Sequence, residues 1–157
     1  MQKIRDILLY LDKSYVTKQK NMPPVYVMQT NQFKAHVVLK GQIKRRLVSI
    51  LLAEIEKERN GHFIERVFVS SVNEMLIEVG VQSKKIYEQE FEAVLIQQTR
   101  DYYRNESTTF IAQNSCKDFL MKAYSRLMEE EDRVQSYLPP QTQEKVICEF
   151  LREYIEN

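Results

Sequence analysis

Four residues of this 157-residue chain could ligate a transition metal or attack an electrophile: His36, His62, Cys116 and Cys148. Imidazole and thiolate hold zinc when they come in closely spaced pairs. These four are single residues on four separate segments, so no metal site is expected. The two cysteines form no CxxC pair and no framework, and they read as reduced thiols. Cys116 opens a predicted helix, where a thiolate is favoured. A helical enzyme with Cys116 as nucleophile is therefore one reading, but nothing in the sequence sets a histidine beside it. There is no phosphate loop, nucleophile elbow or HExxH, so neither catalytic residues nor a cofactor site are expected.

Charged runs offer two further candidates. Glu129, Glu130, Glu131 and Asp132 form an acidic block that could suggest a cation site. On a helix, successive residues point in different directions. Arg126 stands four before Glu130, and Glu129 four before Arg133, the spacing of surface ion pairs. A solvated, self-paired face is the expectation. Lys44-Arg45-Arg46, with Lys40 nearby, is the strongest basic patch, but no aromatic is interleaved for base stacking and acids follow downstream. It reads as a solvated helix start. Asn105-Glu106-Ser107 matches a glycosylation acceptor, which carries no meaning without a secretion signal.

The totals agree. Lys plus Arg is 23 against 22 Asp plus Glu, so there is no overall basic excess for a nucleic-acid binder. Met1 is followed by charged residues and a helical pattern, not by a signal peptide. No apolar run approaches the roughly 20 residues of a membrane span. The expectation is a soluble protein of the cytoplasm or nucleus.

The elements that must position these residues are all helical. Pro23-Pro24, Pro139-Pro140, Gly41, Gly61 and Gly80 fall at the edges of helical patterns, and no segment alternates with period two. A first helix is predicted from Gln2 to Lys18, with Ile4, Ile7, Leu8, Leu11 and Tyr15 on one stripe. Leu9 and Tyr10 lie off it and imply a second contact. Further helices are predicted over Val25–Lys40 and over Gln42–Arg59, the latter through Ile43, Leu47, Ile50, Leu51 and Ile55. Asn60-Gly61 ends the third, and an antiparallel partner follows through Val67, Phe68, Val72, Met75, Leu76 and Val79 to Gly80. A long helix over Tyr87–Gln113 carries Phe91, Leu95, Thr99, Tyr102 and Phe110. Ser115, with Asp118, caps a sixth that runs to Tyr137. The last, Gln141–Glu156, is predicted to bury Val146, Phe150, Leu151 and Ile155. The fold class is all-α, about seven stacked antiparallel helices with short connections.

Several gapped motifs are more particular. In YEQEFEAVLIQQTRDYYRNES, Tyr87, Phe91, Glu92, Thr99, Tyr102, Tyr103, Glu106 and Ser107 fit one pattern. In RLMEEEDRVQSYL, Arg126, Leu127, Glu129, Glu130, Arg133, Val134, Tyr137 and Leu138 fit another. With EIEKERNG and IRDILLYLDKSYV, these closely resemble the cullin family, rod-like scaffolds of multisubunit ubiquitin ligases, over nearly the whole chain. Leu95 stands where that family usually has Phe, Lys13 where Arg is common, His62 for a frequent Glu, and Glu65 where Asp or Asn would cap.

The resemblance implies a division. Residues 1–20 look like the last helix of a first cullin repeat, 25–138 like the second repeat, and 141–157 like the start of a third. The RING-protein site and the modified lysine of full cullins have no counterpart here, so the chain looks like a stalk segment or a reduced relative. It further implies a non-catalytic scaffold that binds a substrate-receptor adaptor through the first helix, with Tyr10 and Lys13 as the candidate adaptor-binding residues. GVQSKKIYEQEFE leans towards cullins that use BTB-domain adaptors, TRDYYRNESTTFIAQN towards those using Skp-type adaptors, and both stand. No nucleic acid or membrane partner is implied. A helical-repeat interaction module from trafficking or transport is the alternative.

Overall fold

In the computed structural model Gly61 takes φ +83°, the left-handed backbone that side chains resist. The amide of Gly61 donates to the Glu58 carbonyl at 2.9 Å, and that of His62 to the Lys57 carbonyl at 3.0 Å. This crossed pair is a Schellman motif, and it satisfies carbonyls that a helix end would leave bare. The stop expected at Asn60-Gly61 is thus built from one glycine.

The structure describes residues 2–18, 23–33, 35–36, 41–79 and 87–156. Among them there is no strand, and seven α-helices follow one another: α1 (Gln2–Ser14), α2 (Val25–Phe33), α3 (Gly41–Arg59), α4 (Arg66–Val79), α5 (Ala93–Ile111), α6 (Cys116–Tyr137) and α7 (Pro140–Leu151). A 3-10 turn, Val16–Lys18, extends α1, and π-turns over Glu88–Glu92 and Arg152–Glu156 flank α5 and α7. The expected run of the second helix to Lys40 and the stop at Gly80 lie outside the described residues, as do the side chains of Ile4 and Val79.

Helix ends follow local chemistry. The Ser115 hydroxyl accepts from the Asp118 amide at 3.2 Å and donates to the Asp118 carboxylate at 2.6 Å, the expected cap of α6. Pro139 and Pro140 end α6 and start α7, with Pro140 at the first helical position, where a missing amide hydrogen costs nothing.

Every fourth residue from Tyr87 to Ser107 is buried: Tyr87, Phe91, Leu95, Thr99, Tyr103 and Ser107. An α-helix turns about 100° per residue, so each four-residue step rotates the buried line by about 40°. The line therefore winds around α5, which makes it the central helix. Lys44–Glu90 at 2.9 Å, Glu56–Gln98 at 3.1 Å and Arg59–Thr99 at 2.9 Å tie α3 alongside it in the same direction. Arg100–Glu149 at 2.5 Å and Arg104–Glu153 at 2.7 Å do the same for α7. Between them α6 runs the opposite way. After the Gly61 turn, α4 lies closely against α6 rather than along α3, and α1 packs on α2, which packs on α4.

The core has two parts. Leu51 and Ile55 of α3, Val69 and Leu76 of α4, Phe91 and Leu95 near the start of α5, and Val134 and Val146 form the larger. Tyr103, Ala123, Phe150 and Tyr154 form the second, with the Tyr103 and Phe150 rings edge-on at 4.7 Å. Several predicted core positions are open instead. Ile43, Ile50, Val67 and Phe68 are exposed, and Val69 and Asn73 take the buried face of α4. On the last helix Tyr154 is buried and Ile155 exposed, because Tyr154 follows Phe150 by four residues, about 40° around the helix, and Ile155 follows it by five, about 140° around. Tyr102 is only half-buried, and its neighbour Tyr103 enters the core.

Candidate protein-binding site

The stripe expected to anchor α1 is largely uncovered. Ile7 is 61% and Tyr15 64% exposed and Leu11 is open, while off the stripe Tyr10, at 70%, and Leu9 are open as well. The expectation that Ile7, Leu11 and Tyr15 are buried is thus corrected. Among the described residues only α2 packs closely on this helix, so one side alone is covered. Asp12 fixes that packing, since its carboxylate accepts from the Val25 amide at 2.6 Å and caps α2 from α1. Tyr26, Met28 and Phe33 of α2 add exposed apolar surface. Large contiguous apolar patches mark interaction sites. Tyr10 and Lys13, both exposed, sit one turn apart, which sets an aromatic and a cation side by side.

Where α3, α4, α5 and α6 meet lies a charged interior that the sequence expectations missed. Glu130 is fully buried, not solvated, and it does not pair with Arg126. Its carboxylate accepts from Arg59 Nη2 at 2.6 Å, from Arg133 on its own helix, and from the Tyr103 hydroxyl. Arg59, the last residue of α3, also donates to the Thr99 hydroxyl, and its guanidinium lies 5.2 Å from the Tyr103 ring centre. Arg126 instead turns to Glu106 at 2.6 Å and Glu129 at 2.7 Å, and its Nη1 donates to the Arg59 carbonyl at 3.2 Å. Glu58 extends the network, accepting from Arg66 at 2.6 Å and from the Tyr137 hydroxyl at 3.0 Å. Four helices and the Gly61 turn meet in it.

The protonation states follow from this packing. Burial opposes the Glu130 charge, but the Arg59 and Arg133 guanidinium groups outweigh it and hold the carboxyl below the usual range. Burial opposes the Arg59 charge as well, and Glu130 reverses the balance, so Arg59 holds its proton more tightly than usual. Burial raises the Tyr103 hydroxyl well above its ordinary value. Glu130 is therefore a fixed anion between fixed cations. Its two oxygens accept hydrogen bonds from Arg59, Arg133 and Tyr103 inside the protein, which suits fixing helix positions and not proton transfer.

The other candidates stay apart. Cys116, Cys148, His36 and His62 are exposed, and among the described residues no cluster of His, Cys, Asp or Glu could hold a metal ion. Lys44 of the basic patch is paired with Glu90. No helix among the described residues is long and apolar enough to cross a membrane. No signal in the sequence marks this charged interior: Arg59 stands at a helix end beside Asn-Gly, where a solvated cation and a buried one look alike.

Comparison with known proteins places these features. The family described as the cullin alpha solenoid domain matches residues 1–157. Cullin-3 of Dictyostelium discoideum is 38% identical over 151 residues, 95% of this chain and 20% of that protein. Cullin-3B of Arabidopsis thaliana is 34% identical over all of this chain and 21% of its own length. Cullin-like protein 3 of Arabidopsis thaliana is 34% identical over 88% of this chain and 53% of its length. The chain thus spans about one fifth of the two Cullin-3 relatives. An all-α stack matched from end to end by this solenoid family, with the gapped motifs on its central helices, belongs to the cullin family.

Proposed function

We propose that this chain is a non-catalytic scaffold segment of a cullin-type ubiquitin ligase, a stiff helical stalk that holds a substrate-receptor adaptor away from the RING-bearing end. The whole-length family match carries this reading. Residues 1–20 are then the last helix of a first cullin repeat, 25–138 the second repeat and 141–157 the opening of a third. Similarity to Cullin-3 proteins favours a BTB-domain adaptor over a Skp-type one. The RING protein would engage a region beyond these residues.

The adaptor meets α1 in this reading, with Tyr10 as the apolar anchor and Lys13 as its charged neighbour. Exposed aromatics next to a cation are typical of residues that dominate protein interfaces. The test is binding of the chain to immobilised BTB-domain and Skp-type adaptors, with Tyr10→Ala as control. Retention by the BTB class, weakened on the order of tenfold or more by Tyr10→Ala, is the expected result. Equal retention by both classes, or indifference to Tyr10, refutes the assignment of the site.

A further inference from the structure

The outer face of α6 has no assigned task. Its inner face is buried through Ala123, Glu130 and Val134. On the outer face Leu120 is 59%, Met121 63%, Tyr124 69% and Met128 49% exposed. Lys117, Met121, Tyr124, Met128 and Glu131 follow one another at alternating spacings of four and three, the seam of a two-helix coiled coil. The ion pairs of this helix are made by Lys122, Arg126, Glu129, Glu130, Asp132 and Arg133. Among the described residues Lys117 and Glu131, the two charges that end the seam, enter none.

The seam is self-complementary. Lys117 lies seven residues before Tyr124 and Glu131 seven after it, each about 10 Å along the helix from the tyrosine. A second copy placed antiparallel, with a two-fold axis at Tyr124, sets each Lys117 against the Glu131 of the other copy. Leu120 then faces Met128, and the tyrosines meet at the axis. Parallel pairing sets lysine on lysine and glutamate on glutamate, so charge selects the antiparallel arrangement. Methionine, unbranched and polarisable, conforms to such an interface. One patch meeting its own copy is the isologous contact of two-fold dimers. We propose that α6 is the seam of an antiparallel dimer of this chain, closed at each end by a Lys117–Glu131 pair. The surface shares no residue with the α1 face.

Sedimentation equilibrium of the 157-residue chain over a wide concentration range, with far-ultraviolet circular dichroism to confirm folding, tests the proposal. A monomer–dimer equilibrium is expected. Lys117→Glu alone sets acid against acid at both ends and weakens association on the order of tenfold or more. Glu131→Lys alone does the same with cations. Lys117→Glu and Glu131→Lys combined in one chain restores dimerisation to near its original strength. A chain that stays monomeric at every concentration overturns the proposal and gives this face to a different occupant. A dimer indifferent to both single reversals, or not rescued by the combination, overturns it equally.

Discussion

Replacing Glu130 by glutamine removes one charge and almost no volume. In the native protein its carboxylate lies between Arg59, 2.6 Å away, and Arg133, and the Tyr103 hydroxyl donates to it as well. Glutamine keeps a carbonyl for one donor and leaves two guanidinium groups facing each other inside the protein. Removing one partner of a buried ion pair costs about 3–5 kcal/mol, against about 0–1 kcal/mol for a solvated surface pair. Urea unfolding followed by circular dichroism should therefore show a lower midpoint at unchanged slope. The melting temperature should fall by roughly 10 °C for a chain of this size.

The pH dependence has a definite sign. The Glu130 carboxyl is held below its usual value in the folded state. Its contribution is complete above the unfolded value, about 4.3 for glutamate. It is lost as pH falls from there through the lower folded value. Native and Glu130→Gln proteins should thus differ most near neutrality and converge in acid. A difference below about 1 kcal/mol at pH 7, or one that stays constant down to acid, refutes the reasoning.

Two further substitutions probe the helix ends. Gly61→Ala meets no atom within 4 Å, so its whole cost is the left-handed backbone, about 1–2 kcal/mol by denaturant unfolding. Gly61→Asn should cost less, because asparagine tolerates that region. Ser115→Ala removes the cap of α6 and should lower stability by about 1 kcal/mol, with faster amide exchange confined to residues near Asp118.

Signals that act within one helix were legible in the sequence. The stop at Gly61, the Ser115 cap and the line of Phe91, Leu95 and Thr99 each depend on residues within a turn or two. Signals between helices were not. Glu130 reads as a surface acid because helical spacing offers it Arg126, and only the approach of α3 supplies Arg59 in its place. Tyr103 replaces Tyr102 in the core because the buried line advances by four residues at a time around a central helix, which no single-face periodicity describes. On α1 the apolar stripe was visible, but periodicity cannot say whether the surface opposite it is part of the same chain.

The Arg59–Glu130 contact also governs how the stack responds to load. Helices joined only by interleaved hydrocarbon side chains can shear past one another in small steps. Here Arg59 and Arg133 converge on the Glu130 carboxylate, and slippage by a single turn, about 5.4 Å, would strand opposite charges in the interior. The bundle therefore behaves as a keyed joint, stiff until a key breaks. Pulled along its length, it should extend in an abrupt step and not by gradual creep, and smooth elongation in a single-molecule force trace would count against that picture.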